Sequence, residues 1–436
     1  MKQFIIGVVA TWLIIVLLIV HDSKRTSSLN KLSSSGTRVE VVFWHAMSGP
    51  LGKVMEELID RFNKKQEKYY IKSVCMGNYD TLAKKLLASL VAGRAPDIGQ
   101  NYEHLTKKFI KHKKIVCLDE LIASEPEDIK ADIVPVLLQN NTYNGKVWSF
   151  PFNKSVPVLY YNKKLFKEAG IDPESPPKTL DELASYARKL TRKDEKGNVR
   201  VYGYATNRAN VWMFMCRVLQ YGGKYVTDED HPKSLLHEPA AVKALSFIQD
   251  ILKENLAYEG QGYDHQNDFK AQRVAMIDNS IVSKVFMETG AGIPFEYGVA
   301  PLPGAATYGV VLSGSNINIF DNGNKEKIAG AWEFIKDFTS TETGAEWSYR
   351  TTYLPVRKSS LASEKLQKVL ESDRNLKAPY IQLDYCHFEP RIGCWFEVRD
   401  LMADYLERAT LEMTDPETIL KKMSQDIDGI LKHARD

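Results

Sequence analysis

The sequence predicts an α/β protein of two lobes, and three observations carry that prediction. The chain has 436 residues, more than one compact core accommodates and enough for two lobes of about 150–200 residues each. Short β-rich runs alternate with helical stripes along its first hundred residues, the pattern of a parallel sheet flanked by helices. No repeat with a period of about 20–50 residues is visible, so solenoids and propellers have no support.

The elements follow in order. Val39 to Trp44 (VEVVFW) reads as a first strand. Leu51, Val54, Met55, Leu58, Ile59 and Phe62 then recur at helical spacing and form one apolar stripe. Tyr69 to Cys75 is the next strand. Leu82, Leu86, Leu87 and Leu90 mark a second helix ended by Gly93 and Pro96, and Asp97 to Gln100 gives a third strand. Ligands of such sheets bind beyond the carboxyl ends of the strands. Trp44-His45, Gly77-Asn78-Tyr79 and Tyr102-Glu103 all follow strands and are expected to gather on one edge.

A second unit begins near Lys146, where two apolar runs are broken by Asn153-Lys154-Ser155. Thr179, with Glu182 three residues on, forms a capping box that starts a helix. Further helices are expected at 240–254, 325–339, 393–412 and 416–433, and strands at 274–278, 297–303 and 310–320.

Composition narrows the function. Basic and acidic residues number 58 and 55 and are interleaved, a balance that gives no reason to expect nucleic acid. The densest basic run, Lys107 to Lys114, reads as a solvated face. Five scattered cysteines have no C-x-x-C spacing, so zinc and thioredoxin-like sites are unsupported; Cys386 and Cys394 are close enough in sequence to bridge, and free thiols are the other reading. The nine histidines lack metal-ligand spacing. No G-x-S-x-G elbow, H-E-x-x-H or phosphate-binding glycine loop occurs. Neither catalytic residues, nor a metal, nor a cofactor is expected. Paired carboxylates far apart in sequence stay open, and with them an exported hydrolase.

The N-terminal segment implies that the rest of the chain faces outward. Phe4 to Val20 is a nearly unbroken apolar run, on the border between a long signal-peptide core and a short membrane helix. It lacks a clear small-x-small cleavage site, and no cysteine near its end could carry a lipid. Residues 1–21 are read as a signal anchor, with a cleaved signal peptide as the alternative, and the serine-rich 22–37 as a flexible tether.

The residues also resemble a family. Val42-Phe43-Trp44-His45, Gly77-Asn78-Tyr79, Ala95-Pro96-Asp97-Ile98, Pro151-Phe152-Asn153, Pro157 to Asn162 (PVLYYN), FKEAG at 166–170, PPKT at 176–179, Trp347 and Tyr353-Leu354-Pro355 are similar to the extracellular solute-binding proteins of ABC importers for sugars and glycerol phosphate. The combination FWHAMSGPLG, GNY, PFNKSVPVLYYN and TTYLPVR resembles the subgroup that binds sn-glycerol 3-phosphate and its diesters. The likeness covers about residues 38–436. It implies a two-lobed periplasmic-binding-protein (type II) fold with discontinuous lobes, expected at 38–148 plus about 275–340 and at about 149–274 plus 341–436. It also implies a non-catalytic subunit that delivers its ligand to a permease and ATPase; a sugar or glycosylglycerol is the alternative ligand.

Carried over by motif, the ligand contacts are Tyr79 in GNY, Glu103 after Tyr102, Ser155 in FNKS, Ser280 after VAMIDN, Gly314 in LSGS, Tyr353 before Leu-Pro, and Arg399 in FEVR. Their chemistry is coherent. A planar guanidinium suits a phosphate oxyanion, and an ionised Glu103 accepts from glycerol hydroxyls and repels phosphate. Serine and tyrosine hydroxyls and a glycine N–H supply the remaining donors. Trp44 and His45 are cleft-edge candidates. The subgroup's tryptophan after PPKT is replaced by Leu180, and Trp212 is the ring that could substitute for it.

Overall fold

The computed structural model describes residues 38–433. The apolar segment and tether read at 1–37 lie outside the described residues, among which no helix is long and apolar enough to cross a membrane. The first body contains β1 (Val39–His45), α1 (Gly49–Lys65), β2 (Tyr69–Cys75), α2 (Tyr79–Val91), β3 (Ile98–Asn101), α3 (Glu103–Lys111) and β4 (Phe150–Ser155). The second contains β5 (Pro157–Asn162), α4 (Leu180–Leu190), β6 (Val199–Asn207), α5 (Val211–Gln220), α6 (Pro239–Lys253), β7 (Ala257–Gly260), α7 (Asp264–Lys270), β8 (Val274–Ser280) and β9 (Tyr297–Ala300). The chain then runs through β10 (Ser313–Ile319), α8 (Lys325–Phe338), α9 (Thr341–Thr351), α10 (Trp395–Leu411) and α11 (Pro416–His433).

The apolar stripe of α1 is buried at each of the positions its spacing marks, from Leu51 to Phe62. Each such side chain contributes about 1.5–3 kcal/mol relative to exposure. The α4 start is capped as its sequence indicates: the Glu182 N–H donates to the Thr179 hydroxyl at 3.1 Å. The Glu182 carboxylate reaches one residue further back than expected, accepting from the Lys178 N–H at 2.6 Å. The five cysteines are free, and the Lys111–Lys114 end of the basic run is exposed.

Two five-strand orders organise the molecule, β2-β1-β3-β10-β4 and β7-β6-β8-β5-β9. In the first, β1, β2 and β3 are parallel as expected, but β10 runs antiparallel to both β3 and β4. The direction reverses because β10 enters from the second body.

Strand membership corrects the expected lobe boundaries. β8 and β9 pair with β5 in the second sheet, although 275–340 was grouped with the first lobe. β4 pairs with β10 in the first, although 149–155 was grouped with the second. Asn153-Lys154-Ser155 is not a break between runs but the end of a wholly buried strand. Only Val156 separates β4 from β5, so the chain passes from one sheet to the other without a loop.

The C-terminal part also divides between the bodies. α9 holds to α1 through Arg61–Glu346 and Arg350 with Glu57. Beyond it, Gln382 accepts from the Leu302 N–H and donates to the Pro157 carbonyl, both second-body groups.

Candidate ligand site

Where the two sheets meet, a cleft of about 810 Å³ opens, lined among others by Tyr79, Tyr102, Ser155, Ser280, Ser313, Gly314 and Tyr353. A second chamber of about 250 Å³ is lined by Asp80, Tyr102, Glu103, Trp212, Gly314, Glu389, Trp395, Phe396 and Arg399. Tyr102, Ser313 and Gly314 line both, so the chambers adjoin across these residues. The seven carried-over positions are thus brought together: five around the outer cleft, Glu103 and Arg399 in the inner chamber, and Gly314 shared.

The crossing places the hydroxyls. Ser155 ends β4, opposite Ser313 in β10, and Ser280 ends β8, opposite Pro157. The Ser280 hydroxyl donates to that of Ser155 at 3.3 Å. Gly314 has φ +91°, and a Cβ there would lie 1.8 Å from the Asn153 carbonyl oxygen. Both facts demand glycine.

Behind the tyrosines lies a buried amide network. Asn153 donates to the Tyr79 phenol oxygen at 2.7 Å and accepts from Gln100 at 3.2 Å and from the Ser315 N–H at 3.1 Å. Gln100 in turn donates to Ser315 at 2.8 Å and accepts from the Ala46 N–H at 2.7 Å. With its oxygen already accepting, the Tyr79 hydroxyl turns its proton to the Met47 sulfur at 3.9 Å, a weak acceptor. Tyr353 stacks on Trp347 at 5.6 Å and 10°, and Trp347 on Phe152 at 5.8 Å. The aromatic core therefore fixes the second phenol. Thr352, at φ +61°, donates through its hydroxyl to the Ile281 carbonyl, so the turn before Tyr353 is tied to the second body.

Glu103 begins α3 and is buried, with Oε2 lacking a hydrogen-bond partner. Burial raises its pKa; the nearby Lys154 ammonium opposes the rise and the Glu389 charge adds to it. Lys154, 1% exposed, donates to Asn140 at 3.0 Å, and burial lowers its pKa to about 8 against the pull of Glu103. Arg399 is held by Glu389, whose other oxygen accepts from the Trp395 indole at 2.8 Å. The contact uses one terminal nitrogen of Arg399; the guanidinium's remaining N–H groups can serve a ligand.

Other expectations resolve differently. Trp44 and His45 do not line the cleft. His45 is buried, accepting from the Met47 N–H at 3.2 Å, and burial lowers its pKa to about 4. Trp44 packs against the satellite core around Leu82 and Phe109. Leu180 faces the second-body core beside Leu183 and Tyr204, because the α4 N-terminus is pinned to Gly304 through backbone hydrogen bonds. Trp212 does line the inner chamber, its indole donating to the Val311 carbonyl at 2.8 Å. Sequence reasoning placed Tyr102 on the ligand edge without naming it a contact, and missed Glu389, Asn153 and Lys154 as site residues. The last two stood inside the quoted PFNKS motif, whereas Glu389 lies outside every quoted motif. Among the described residues no cluster of His, Cys, Asp or Glu could hold a metal.

Two α/β bodies with a polar cleft between them, crossed by uninterrupted chain, define a class of two-lobed binding proteins. The chain belongs to one family of that class, the bacterial extracellular solute-binding proteins, whose profile matches residues 57–375. It is 30% identical over 350 residues, 77% of this chain and 78% of the relative, to the sn-glycerol-3-phosphate-binding periplasmic protein UgpB of Yersinia pestis bv. Antiqua. The crystal structure of UgpB from Mycobacterium tuberculosis in complex with glycerophosphocholine superposes with a TM-score of 0.80 at 24% identity, covering 92% of this chain and 99% of that one. The cyclic α-maltosyl-1,6-maltose binding protein of Arthrobacter globiformis follows at 0.79 and 24%, covering 91% and 100%. The architecture is the type II periplasmic-binding-protein fold.

Proposed function

We propose that this chain captures sn-glycerol 3-phosphate or a glycerophosphodiester outside the cytoplasm and hands it to the permease and ATPase of an ABC importer, without catalysis, tethered by the segment before residue 38. The observation that carries the reading is the convergence of all seven carried-over residues on two chambers that adjoin at Gly314. Phosphate sits at that junction, where Ser155, Ser280, Tyr79, Tyr353 and the Gly314 N–H supply donors and Arg399 turns its free N–H groups. The glycerol hydroxyls point into the inner chamber and donate to Glu103, whose Oε2 has no other partner. The UgpB relatives support the choice of ligand, and the extracellular family supports the location.

Calorimetric titration with sn-glycerol 3-phosphate tests this. One ligand should bind per chain and be recovered unchanged. Arg399→Ala should weaken binding by about a hundredfold or more, since a charged hydrogen bond to a buried partner costs about 3 kcal/mol, with the fold intact by circular dichroism. Unchanged affinity in that variant would refute the phosphate assignment, and recovery of hydrolysed ligand would refute the non-catalytic one.

A further inference from the structure

Lys154 stands one residue before the end of β4 and is 1% exposed. A lysine stem ordinarily runs along apolar neighbours until its ammonium meets water; this one is enclosed. The ammonium has three donors and makes one hydrogen bond among the described residues, to the Asn140 side-chain oxygen at 3.0 Å. That oxygen also accepts from the Asn316 amide at 3.3 Å, while the Asn140 Nδ2 has no partner. The Asn140 amide is close enough to Glu103 to favour its ionised form. Glu103, 7% exposed, leaves Oε2 unpaired. A buried acid and a buried base thus share one amide behind the wall of the inner chamber, without a direct ion pair among the described residues.

The charge balance of the chamber gives this lysine its role. Asp80 on α2, Glu103 on α3 and Glu389 before α10 line it, together with Arg399 on α10. Glu389 holds Arg399, so that guanidinium is matched before a ligand arrives. Glu103 also faces the phenols of Tyr102 and Tyr143 and the ammonium of Lys154. Lys154 in turn faces Glu103, Glu389 and the Cys386 thiol. Without Lys154, one guanidinium would confront three carboxylates and an incoming phosphate that is doubly charged above about pH 7. Burial raises the Glu103 pKa, and Lys154 is the foremost charge opposing the rise. It thereby favours the acceptor-only carboxylate that glycerol hydroxyls require. The backbone of Lys154 is committed to the same site. Its carbonyl accepts from the Leu354 N–H at 2.7 Å, next to Tyr353, its Cα lies 3.1 Å from where a Gly314 Cβ would stand, and Ser155 follows it. The ammonium is anchored to the backbone that carries three of the ligand positions.

We infer that Lys154 is a positioning residue for capture: the enclosed counter-charge that keeps Glu103 an anion towards the glycerol hydroxyls and lets a phosphate dianion enter beside it. Lys154 lines neither chamber, so it acts through Glu103 and not by touching the ligand. The inference rests on the glycerol-phosphate reading above and deepens it. It ties affinity to the lysine's own proton. Burial lowers the Lys154 pKa to about 8, so the counter-charge is present below that pH and lost above it. Once it is lost, an uncompensated carboxylate stands beside the phosphate and binding weakens. By linkage, bound ligand holds the proton on and moves its loss to higher pH.

The test is a calorimetric titration of wild type, Lys154→Met and Lys154→Arg with sn-glycerol 3-phosphate from about pH 7 to about pH 9.5, with folding checked by circular dichroism. Wild type should lose about tenfold in affinity across that range. Lys154→Met should bind about tenfold more weakly than wild type at the lower pH and stay flat, having no proton to lose there. Lys154→Arg should match wild type at the lower pH and keep that affinity at the higher one, because a guanidinium retains its charge. Lys270 in the outer cleft and the site phenols are common to all three proteins. An equal fall with pH in all three therefore overturns the inference while the glycerol-phosphate reading stands, and so does wild-type affinity in Lys154→Met at the lower pH. If Lys154→Arg does not fold, the slope of wild type against that of Lys154→Met decides alone. If wild type binds no sn-glycerol 3-phosphate at any pH, the glycerol-phosphate reading itself falls, and this inference with it.

Discussion

Lys154 is 1% exposed, with a hydrogen bond to Asn140 at 3.0 Å and the Glu103 charge nearby. Its folded pKa, lowered to about 8 by burial, lies below the 10.5 of the free side chain. Between those values the unfolded chain binds the proton that the folded chain has released, so stability rises with pH across the window. Wild type should therefore gain stability relative to Lys154→Met as pH is raised from about 8 towards 10.5; thermal denaturation of both proteins at several pH values checks the sign, and parallel profiles would contradict it. The same residues show where sequence reading stops. Tyr79, Ser155, Gly314, Tyr353 and Arg399 could be named because each stood in a recognisable motif. Asn153 and Lys154 resembled a loop because polar residues inside a strand do. They are tolerated there only because Gln100 and Ser315, on two other strands, complete the hydrogen bonding of Asn153, and Asn140 that of Lys154. Leu180 was read as a lost aromatic platform, yet its side chain faces the second-body core, and Trp212 lines the chamber.

Elements whose reason lies within their own sequence were the legible ones. The stripe of α1 and the cap of α4 need only neighbours three and four residues away. Thr179→Ala removes the oxygen that accepts from the Glu182 N–H at 3.1 Å and should cost about 1 kcal/mol. Urea denaturation reads this as a lower midpoint with an unchanged slope; no change in midpoint would mean that the Gly304 backbone contacts alone hold the helix start. The placement of β8, β9 and β4 was misread for the opposite reason. A buried apolar strand looks the same whichever sheet it joins, and the passage at Val156 has no glycine-rich or serine-rich linker to announce it. Antiparallel β10 was equally hidden, since its direction is set by where the chain comes from.

For the whole molecule, two sheets with a cleft between them and a ligand contacting both predict closure on binding. Small-angle X-ray scattering should show a smaller radius of gyration with saturating sn-glycerol 3-phosphate than without it. An identical radius in both states would place recognition within one body. The hydroxyl-bearing floor of the site sits at the crossing itself: Ser155 precedes Val156, Ser280 bonds to Ser155, and Thr352 ties the Tyr353 turn to Ile281. Points on an axle scarcely travel while the wheel turns. A phosphate bound as proposed would meet the same floor in every posture of the two bodies, whereas the exposed Tyr263 and Phe286 belong to the second body and move with it. On that proposal the axle would decide what is admitted, and the closing of the two bodies how long it stays.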